Sequence, residues 1–380
     1  MQLGQNTVSR LACPARGGYI WDATTKDGRA RGRNETVRGR ASLRFASPPR
    51  AAMGRVTRHP GLHDASGTEL PWRLVEVAGS EAYVVDAGEG PAVVLLHGFA
   101  DTADSWRRVL PRLTASRRVV ALDIPPFGRS QPPAMNGTPA VEWYASFLDA
   151  LLDELGIEQA ALVGHSLGGA IALAYCLERP DAVDRLGLIA PAGLGESAPW
   201  WWHAAAGRPV NWAALLRLPN PVAGQAIKAG MRNFLEGNLM YDARGMEDVI
   251  EHFVALHGGR RQLEQLIAIG RSLITGYDGT LIQRAAEVEC PVTVIWGRED
   301  RLAPIEHAEA FAGAVPQAEL MVLDQCGHYP QIELPGRVGE LLEELLAESY
   351  GPSESLRTSS RTTFSRTSSS VTSRSPRLRR

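Results

Sequence analysis

The sequence lacks the long apolar run that a membrane-spanning helix needs, since nothing in its 380 residues approaches about 18 consecutive apolar positions. It also lacks the continuous apolar stretch of a secretory signal near its first residue. Cysteine is scarce: Cys13, Cys176, Cys290 and Cys326 show neither close pairing nor metal-type spacing along the chain. These absences predict a cytoplasmic protein with reduced thiols, no integral membrane segment and no metal site.

Positive charge is scarce in the body of the chain, although the formal net charge is only −2. Residues 1–52 hold nine Arg and one Lys against three acids, a net charge of +7. Residues 351–380 hold seven Arg against one acid, a net charge of +6, which leaves −15 for residues 53–350. Because phosphate contacts need clustered Lys and Arg, the acidic body argues against nucleic acid as a partner.

The two ends also differ from the middle in how much they can bury. Residues 351–380 contain ten Ser and five Thr, and residues 1–52 are rich in Gly, Arg and Ser without helical or strand periodicity. Such segments cannot offset the entropy of ordering a chain. We therefore predict a disordered basic segment at 1–52, one folded domain at 53–350 and a disordered Ser/Thr/Arg-rich tail at 351–380.

Within the middle region, short aliphatic runs alternate with helical patterns, which predicts an α/β fold with a mostly parallel, doubly wound sheet. Residues 140–155 have apolar positions three and four apart, typical of a helix, and a closing helix is expected to end near Tyr350. Several of the other runs are apolar throughout, as strands buried on both faces should be. The predicted strands are residues 82–86, 92–97, 118–123, 160–164, 185–190, 292–296 and 319–323.

One long segment, residues 192–289, interrupts this alternation with helical material and no convincing strand. Because it falls between two predicted core strands, we expect an inserted helical cap over the C-terminal edge of the sheet, where open α/β sheets bind ligands. Large aromatic rings in such a cap favour a mostly apolar pocket. Four of them are Trp200, Trp201, Trp202 and Trp212.

The strongest chemical motif is Gly164-His165-Ser166-Leu167-Gly168, between a predicted strand and a predicted helix. So sharp a strand-to-helix turn needs small residues two positions before and after its central serine. A bare Gly-x-Ser-x-Gly can be an ordinary structural turn, but the strand before it and the helix after it favour Ser166 as a nucleophile.

A serine nucleophile needs a base, and the base needs an orienting carboxylate. His328 lies in a loop between the last predicted strand and the final helix, and we predict that it is the base. His97 is better placed to brace its own loop, and His165 is held beside the serine. The loop after the next-to-last strand offers two carboxylates, Glu299 and Asp300.

An oxyanion hole requires two N–H groups directed at one point. The N–H of Leu167, directly after the nucleophile, is one predicted donor. The second is the N–H of Phe99, in the loop where Gly98 permits a turn after an early strand.

Five segments resemble, in order, the signature blocks of the α/β-hydrolase superfamily: LLHGF, ALDIPPFGRS, VGHSLGGA, WGREDRLAP and CGHYPQIELP. The resemblance covers about residues 70–348 and implies the α/β-hydrolase fold, with catalysis that needs no metal or organic cofactor. It implies a triad of Ser166, Asp300 and His328, which selects Asp300 over Glu299. It also implies the oxyanion roles of Phe99 and Leu167.

Individual residues indicate which branches of the superfamily this chain resembles. Epoxide hydrolases and haloalkane dehalogenases carry aspartate at the elbow, so Ser166 disfavours both. Residues 188–195 resemble the carbon–carbon bond hydrolases of meta-cleavage pathways and equally the hydrolase-like domain of acetoin dehydrogenase acyltransferases. Those carbon–carbon hydrolases usually have Asn before the nucleophile and Trp after the base, where this chain has His165 and Tyr329.

The expected function is cleavage of a carboxylic ester, or a similar acyl bond, in a small apolar substrate. One alternative is a carbon–carbon hydrolase acting on an anionic dioxo acid, and another is a non-catalytic ligand receptor on the same fold. The sequence leaves the oligomeric state open. The anionic substrate would need a cation from the cap, for which the candidates are Lys228, Arg232, Arg260 and Arg261.

The composition of the two ends leads to a testable prediction. A shortened chain spanning residues 53–350 should fold and keep the hydrolytic activity of the full chain, because the removed ends have little to bury. Far-ultraviolet circular dichroism and turnover of a chromogenic ester would check this. Loss of solubility or activity in the shortened chain would show that an end contributes to the fold or the site.

Overall fold

The computed structural model describes residues 62–63, 66–131, 141–195, 246–257 and 280–347, together with residues 225, 228, 229, 232, 235, 240 and 241. Both predicted disordered ends and most of the predicted cap lie outside these residues, so the domain boundaries stay predictions. No helix in the described part of the chain is long and apolar enough to cross a membrane.

An eight-stranded sheet forms the centre of the described structure, in the order β1-β2-β4-β3-β5-β6-β7-β8. β1 pairs antiparallel with β2, and β2 pairs antiparallel with β4. All further pairs, from β3–β4 to β7–β8, are parallel. The strands are β1 (Trp72–Val77), β2 (Ser80–Ala87), β3 (Ala92–Leu96), β4 (Arg118–Leu122), β5 (Ala160–His165), β6 (Val183–Ile189), β7 (Val292–Gly297) and β8 (Ala318–Leu323).

Helices cover both faces of this sheet, which is why its central strands are mostly apolar and β3 is apolar at every position. In β3, for example, Val94 and Leu96 pack into one core, whereas Val93 and Leu95 pack into the other. The α/β-hydrolase architecture predicted from the sequence is confirmed. The described helices are α1 (Leu110–Leu113), α2 (Val141–Glu154), α3 (Leu167–Glu178), α4 (Met246–His257), α5 (Thr280–Gln283), α6 (Ile305–Ala314), α7 (Pro330–Glu333) and α8 (Pro335–Leu346).

The sheet topology brings the predicted site residues to one edge. The chain runs from β3 to β4 on one side and then returns to place β5 on the other side of β3. Such a reversal opens a crevice at the carboxyl ends of the strands, where ligands bind in this kind of sheet. Ser166 directly follows β5, Asp300 follows β7 and His328 follows β8.

Strand β1 was missing from the sequence prediction. Its apolar residues fall on both faces, since Val75 and Val77 are buried whereas Trp72 and Leu74 are exposed. The alternation that marks a half-buried strand is therefore obscured. The turn to β2 is also poorly signalled, because Ala78 adopts a φ of 50°, a conformation for which Asn or Gly is the usual signal.

The other predicted elements are present with shifted ends. The strand predicted at 185–190 begins earlier and ends earlier, as Val183–Ile189. The closing helix ends at Leu346, before the expected end near Tyr350. In the predicted cap segment, the described residues contain α4 and α5 and no strand.

Candidate active site

Ser166 occupies the turn between β5 and α3 in a backbone conformation that few side chains adopt, with φ 50° and ψ −114°. Its N–H donates to the carbonyl oxygen of Ile189 at 2.9 Å. Its own carbonyl oxygen accepts from the N–H groups of Ala170 at 3.1 Å and Ala192 at 2.9 Å. Three hydrogen bonds thus hold a strained residue at the carboxyl end of β5.

Two glycines allow this turn to exist. A Cβ on Gly164 would collide with the carbonyl oxygen of Gly168. A Cβ on Gly168 would collide with the carbonyl oxygen of Leu96 and lie 2.6 Å from that of His97. The missing side chains therefore let β5, α3 and the loop after β3 meet around Ser166.

Asp300 and His328 form a buried, directly hydrogen-bonded pair. Asp300 Oδ2 lies 2.7 Å from His328 Nδ1, and the two side chains are 1% and 3% exposed. Asp300 Oδ1 accepts the N–H groups of Leu302 at 2.8 Å and Ala303 at 2.9 Å. Because both carboxylate oxygens are engaged, Asp300 is held in one orientation and fixes the imidazole in turn.

This contact decides which ring nitrogen of His328 can act as a base. Since Nδ1 donates to the carboxylate, Nε2 keeps its lone pair. Nε2 forms no hydrogen bond to any described residue, Ser166 included. The neighbour of Ser166 nevertheless reaches the histidine loop directly, since His165 Nε2 donates to the carbonyl oxygen of His328 at 2.8 Å. The structure thus places the three predicted residues in adjoining loops with Nε2 open to accept a proton.

The other two histidines of this region brace loops, as the sequence suggested. His97 Nε2 accepts the N–H of Ile124 at 2.7 Å, so Nδ1 carries the proton that is donated to the carbonyl oxygen of Gly98, also at 2.7 Å. Burial lowers the pKa of His97 to about 4. Burial, followed by the neighbouring His328, holds the pKa of His165 well below its ordinary value. Both rings are therefore neutral at neutral pH.

The two predicted oxyanion donors, Leu167 and Phe99, belong to segments that adjoin Ser166. Leu167 is the first residue of α3, so its N–H precedes the hydrogen-bond ladder of the helix. The loop that carries Phe99 packs against the serine, since a Cβ on Gly98 would lie 3.3 Å from Ser166 Cβ. Leu167 and the loop that carries Phe99 thus lie next to Ser166, and their role as oxyanion donors stays a prediction.

The site and its setting have the features of one known family. The sequence pattern of the alpha/beta hydrolase fold matches residues 91–335 of the chain. The chain belongs to the α/β-hydrolase family.

Among curated members of this family, 2-hydroxymuconate semialdehyde hydrolase of Pseudomonas sp. (strain CF600) is 33% identical over 73% of this chain and 94% of its own length. The acetyltransferase component of the acetoin cleaving system of Pseudomonas putida is 32% identical over 66% of this chain and 62% of its own length. A solved meta-cleavage product hydrolase from Pseudomonas fluorescens IP01 is 26% identical, with a TM-score of 0.61, over 72% of this chain and 97% of its own.

Two further carboxylates hold the histidine loop of this α/β hydrolase: Glu333, which the sequence analysis did not single out, and Glu299, the acid that the resemblance set aside as the triad member. Glu333 accepts the N–H groups of Gly327 at 3.1 Å and Tyr329 at 3.2 Å. Its other oxygen accepts the N–H of Tyr241, in the cap segment, at 2.8 Å. Glu299 accepts the N–H of a further loop residue, Cys326, at 3.0 Å. The signal for Glu333 was its place in CGHYPQIELP, five residues after the predicted base.

A buried cluster of charged side chains holds the loops after β3 and β4. None of its residues was assigned a role from the sequence. Arg129 Nε lies 2.7 Å from Asp123 Oδ2, and Arg129 Nη2 lies 2.6 Å from Asp104 Oδ2. Asp123 also accepts the N–H of Ala103 at 2.8 Å. These contacts tie the loop after β3 to the loop after β4. The signal lay in ALDIPPFGRS, where an acid and a base flank a turn directly after a strand.

The depressed pKa of His97 leads to a prediction about stability. A histidine that is neutral when folded, with a pKa of about 4, takes up a proton on unfolding below its ordinary value of 6.5. The contribution of neutral His97 to the free energy of unfolding is therefore complete above pH 6.5. It is lost as the pH falls from 6.5 towards 4, and the total loss is about 3 kcal/mol.

Denaturant unfolding of the wild type and of His97→Asn at pH 7 and pH 5 would test this. The variant should be less stable at pH 7 but lose less free energy of unfolding on acidification. The matched control is His63→Asn, which alters an exposed histidine and should lose as much free energy of unfolding between pH 7 and pH 5 as the wild type. An equal loss in the wild type and in His97→Asn would contradict the proposed role of His97 in the pH dependence.

Proposed function

We propose that this α/β hydrolase is a serine hydrolase that cleaves carboxylic esters of small apolar substrates through an acyl-enzyme. The observation that carries the proposal is the Asp300–His328 hydrogen bond of 2.7 Å, which leaves His328 Nε2 open beside the strained Ser166 turn. An oriented histidine next to a serine held on a sharp turn is the arrangement that activates a hydroxyl for attack on a carbonyl.

In the proposed reaction, His328 Nε2 takes the proton of Ser166 while the serine oxygen attacks the ester carbonyl. Asp300 keeps the imidazole in the required tautomer and stabilises the imidazolium that forms. The N–H groups of Leu167 and Phe99 donate hydrogen bonds to the developing oxyanion. The dipole of α3, which begins at Leu167, further stabilises this negative charge. His328 then returns the proton to the leaving alcohol.

Water completes the cycle. His328 Nε2, again neutral, removes a proton from the water that attacks the acyl-Ser166 carbonyl. The second tetrahedral intermediate uses the same two N–H donors, and its collapse releases the acid and restores the serine. Every proton transfer in this sequence passes through one nitrogen, which is why its freedom from other hydrogen bonds matters.

A second candidate, carbon–carbon bond hydrolysis, is favoured by the 33% identical relative that is named 2-hydroxymuconate semialdehyde hydrolase. A substrate of that type is an anion and needs a cation at the site. Two candidate cations in the cap segment are already paired, because Arg232 Nε lies 2.7 Å from Glu247 Oε1 and Lys228 Nζ lies 3.7 Å from Glu251 Oε1. The other two, Arg260 and Arg261, lie outside the described residues. The paired charges support the ester proposal.

The two positions that differ from the carbon–carbon hydrolases also point to esters. The rings of His165 and Tyr329 lie against each other, with centroids 4.8 Å apart. Tyr329 further packs with Leu235, Met240 and Ile250, apolar residues of the cap segment. Tyr329 of the histidine loop therefore packs against His165 of the Ser166 turn on one side and against apolar residues of the cap segment on the other. We take this apolar packing between the two loops and the cap as support for an uncharged acyl group rather than a charged one.

The first prediction from this proposal separates the two adjacent acids. Asp300→Asn should lower kcat by about 10⁴, because an amide no longer selects the tautomer with Nε2 free. Glu299→Gln should have a far smaller effect, since the amide oxygen can still accept the N–H of Cys326. Steady-state kinetics with a nitrophenyl ester would measure both. A larger loss in Glu299→Gln than in Asp300→Asn would refute the assignment.

The second prediction concerns the substrate. If the predicted cap tryptophans line an apolar pocket, each buried methylene adds about 0.8 kcal/mol, or about fourfold in kcat/KM. Nitrophenyl esters should therefore be hydrolysed better as the acyl chain lengthens from acetate to medium length. Turnover should vanish in Ser166→Ala and persist in Ser146→Ala, which changes an exposed serine of α2.

Comparison with 2-hydroxymuconate semialdehyde, the substrate in the name of the 33% identical relative, decides between the candidates. The ester proposal expects a higher kcat/KM for the best ester than for the semialdehyde. A higher value for the semialdehyde would establish the carbon–carbon reaction instead. Folded protein that turns over neither compound would indicate a ligand receptor.

A further inference from the structure

Two cysteines that are far apart in sequence meet in the fold, away from the candidate active site. Cys176 lies near the C-terminal end of α3, and Cys290 lies just before β7. Their sulfur atoms are 3.7 Å apart, within hydrogen-bonding distance for thiols. Cys176 is buried, whereas Cys290 is partly exposed. The spacing along the sequence gave no sign of this pair, because 113 residues separate the two positions.

We propose that Cys176 and Cys290 are a covalent modification site at which oxidation forms an intramolecular disulfide. The sulfurs need to approach only from 3.7 Å to the bonding distance of about 2.05 Å. Such a shift is within the reach of small side-chain rotations, since each sulfur moves with its own χ1 angle. The bond would link α3 directly to the strand that leads to Asp300.

Independent contacts already hold the two segments together. Arg284, which follows α5, forms an ion pair of 2.7 Å from its Nη1 to Glu178 Oε1 at the end of α3. Its Nη2 also donates to the carbonyl oxygen of Leu177 at 3.4 Å. The same guanidinium is fixed from its own side by Glu287, at 2.9 Å. These contacts flank the thiol pair and hold the end of α3 close to the segment that leads to Cys290.

The chemistry balances with a small disulfide such as glutathione disulfide as oxidant. The thiolate of the partly exposed Cys290 attacks glutathione disulfide, forms a mixed disulfide and releases one glutathione. Cys176 then attacks the mixed disulfide as a thiolate and releases the second glutathione. The two thiols of the protein are oxidised, one glutathione disulfide is reduced, and the two thiol protons end on the two glutathione molecules that are released. The hydrogen bond with Cys176 raises the pKa of Cys290, so the first step is faster at alkaline pH.

The position of the bond gives it a defined consequence. It would close a ring that contains residues 177–289, and this ring includes the whole predicted cap segment. Closing so long a ring restricts the unfolded chain strongly and stabilises the folded one. Ser166 precedes the opposite end of α3, so the bond leaves the nucleophile turn untouched. We therefore expect a more stable protein with unchanged ester turnover, if the proposed activity holds.

The experiment treats the full chain with excess glutathione disulfide at pH 8.5 and compares it with the dithiothreitol-reduced protein. Peptide mapping without reduction should find Cys176 joined to Cys290, with the intact mass lower by two hydrogens. Thermal unfolding of the oxidised protein should have a Tm higher by about 5 °C, and dithiothreitol should reverse the shift. Neither readout depends on the proposed function.

Cys290→Ser is the matched variant, because it changes the partly exposed thiol and leaves the buried one in place. It should fold like the reduced wild type and show neither the cross-linked peptide nor the Tm shift. Three results would overturn the proposal: a stable glutathione adduct on Cys290 without the cross-link, a cross-link to a different cysteine, or no reaction of either thiol in the folded protein.

Discussion

A steric constraint at the end of β5 organises the candidate site. Ser166 has a φ of 50°, and this conformation persists only because backbone from two other segments packs directly against the turn. Gly164 and Gly168 have no side chain in that space: a Cβ on Gly164 would push β5 away from α3, and a Cβ on Gly168 would push α3 away from the end of β3 and the loop that follows it. The same close packing therefore sets both the conformation of the Ser166 turn and the position of the loop after β3, which carries the predicted oxyanion donor Phe99.

Carboxylates that accept backbone N–H groups hold the remaining loops at this edge. Asp123 fixes the loop after β3, Asp300 turns the loop after β7, and Glu333 anchors the loop after β8 to the cap segment. Buried acceptors of this kind are costly to leave unpaired, so each loop has one strongly preferred conformation. His328 Nε2, by contrast, is buried without a hydrogen-bond partner among the described residues, at the position where the proposed chemistry needs a lone pair.

The sequence was informative where local pattern and function coincide. The strand before Ser166 and the helix after it follow from apolar periodicity. The loops that carry Asp300 and His328 follow from the strand pattern, whereas the choice of Asp300 over Glu299 came from the family resemblance. Long-range partners had no local signal. Nothing near Arg129 indicates that Asp104 is one of its partners, and nothing near Cys176 indicates that Cys290 is its neighbour. These contacts depend on how separate elements pack, which periodicity does not encode.

Ester and carbon–carbon hydrolysis place the same demands on the core of this site and different demands on its surroundings. Both begin at a carbonyl and need a base and an oxyanion hole, so one arrangement of Ser166 and His328 serves either reaction. They differ in the leaving group: an alkoxide needs only a proton from His328, whereas a carbon leaving group needs its charge delocalised and its carboxylate bound. Selectivity therefore resides in residues that face the leaving group. In this protein Tyr329 packs against apolar cap residues, and Lys228 and Arg232 of the cap segment are paired with Glu251 and Glu247. These two observations are the support for the proposed ester cleavage over the carbon–carbon alternative.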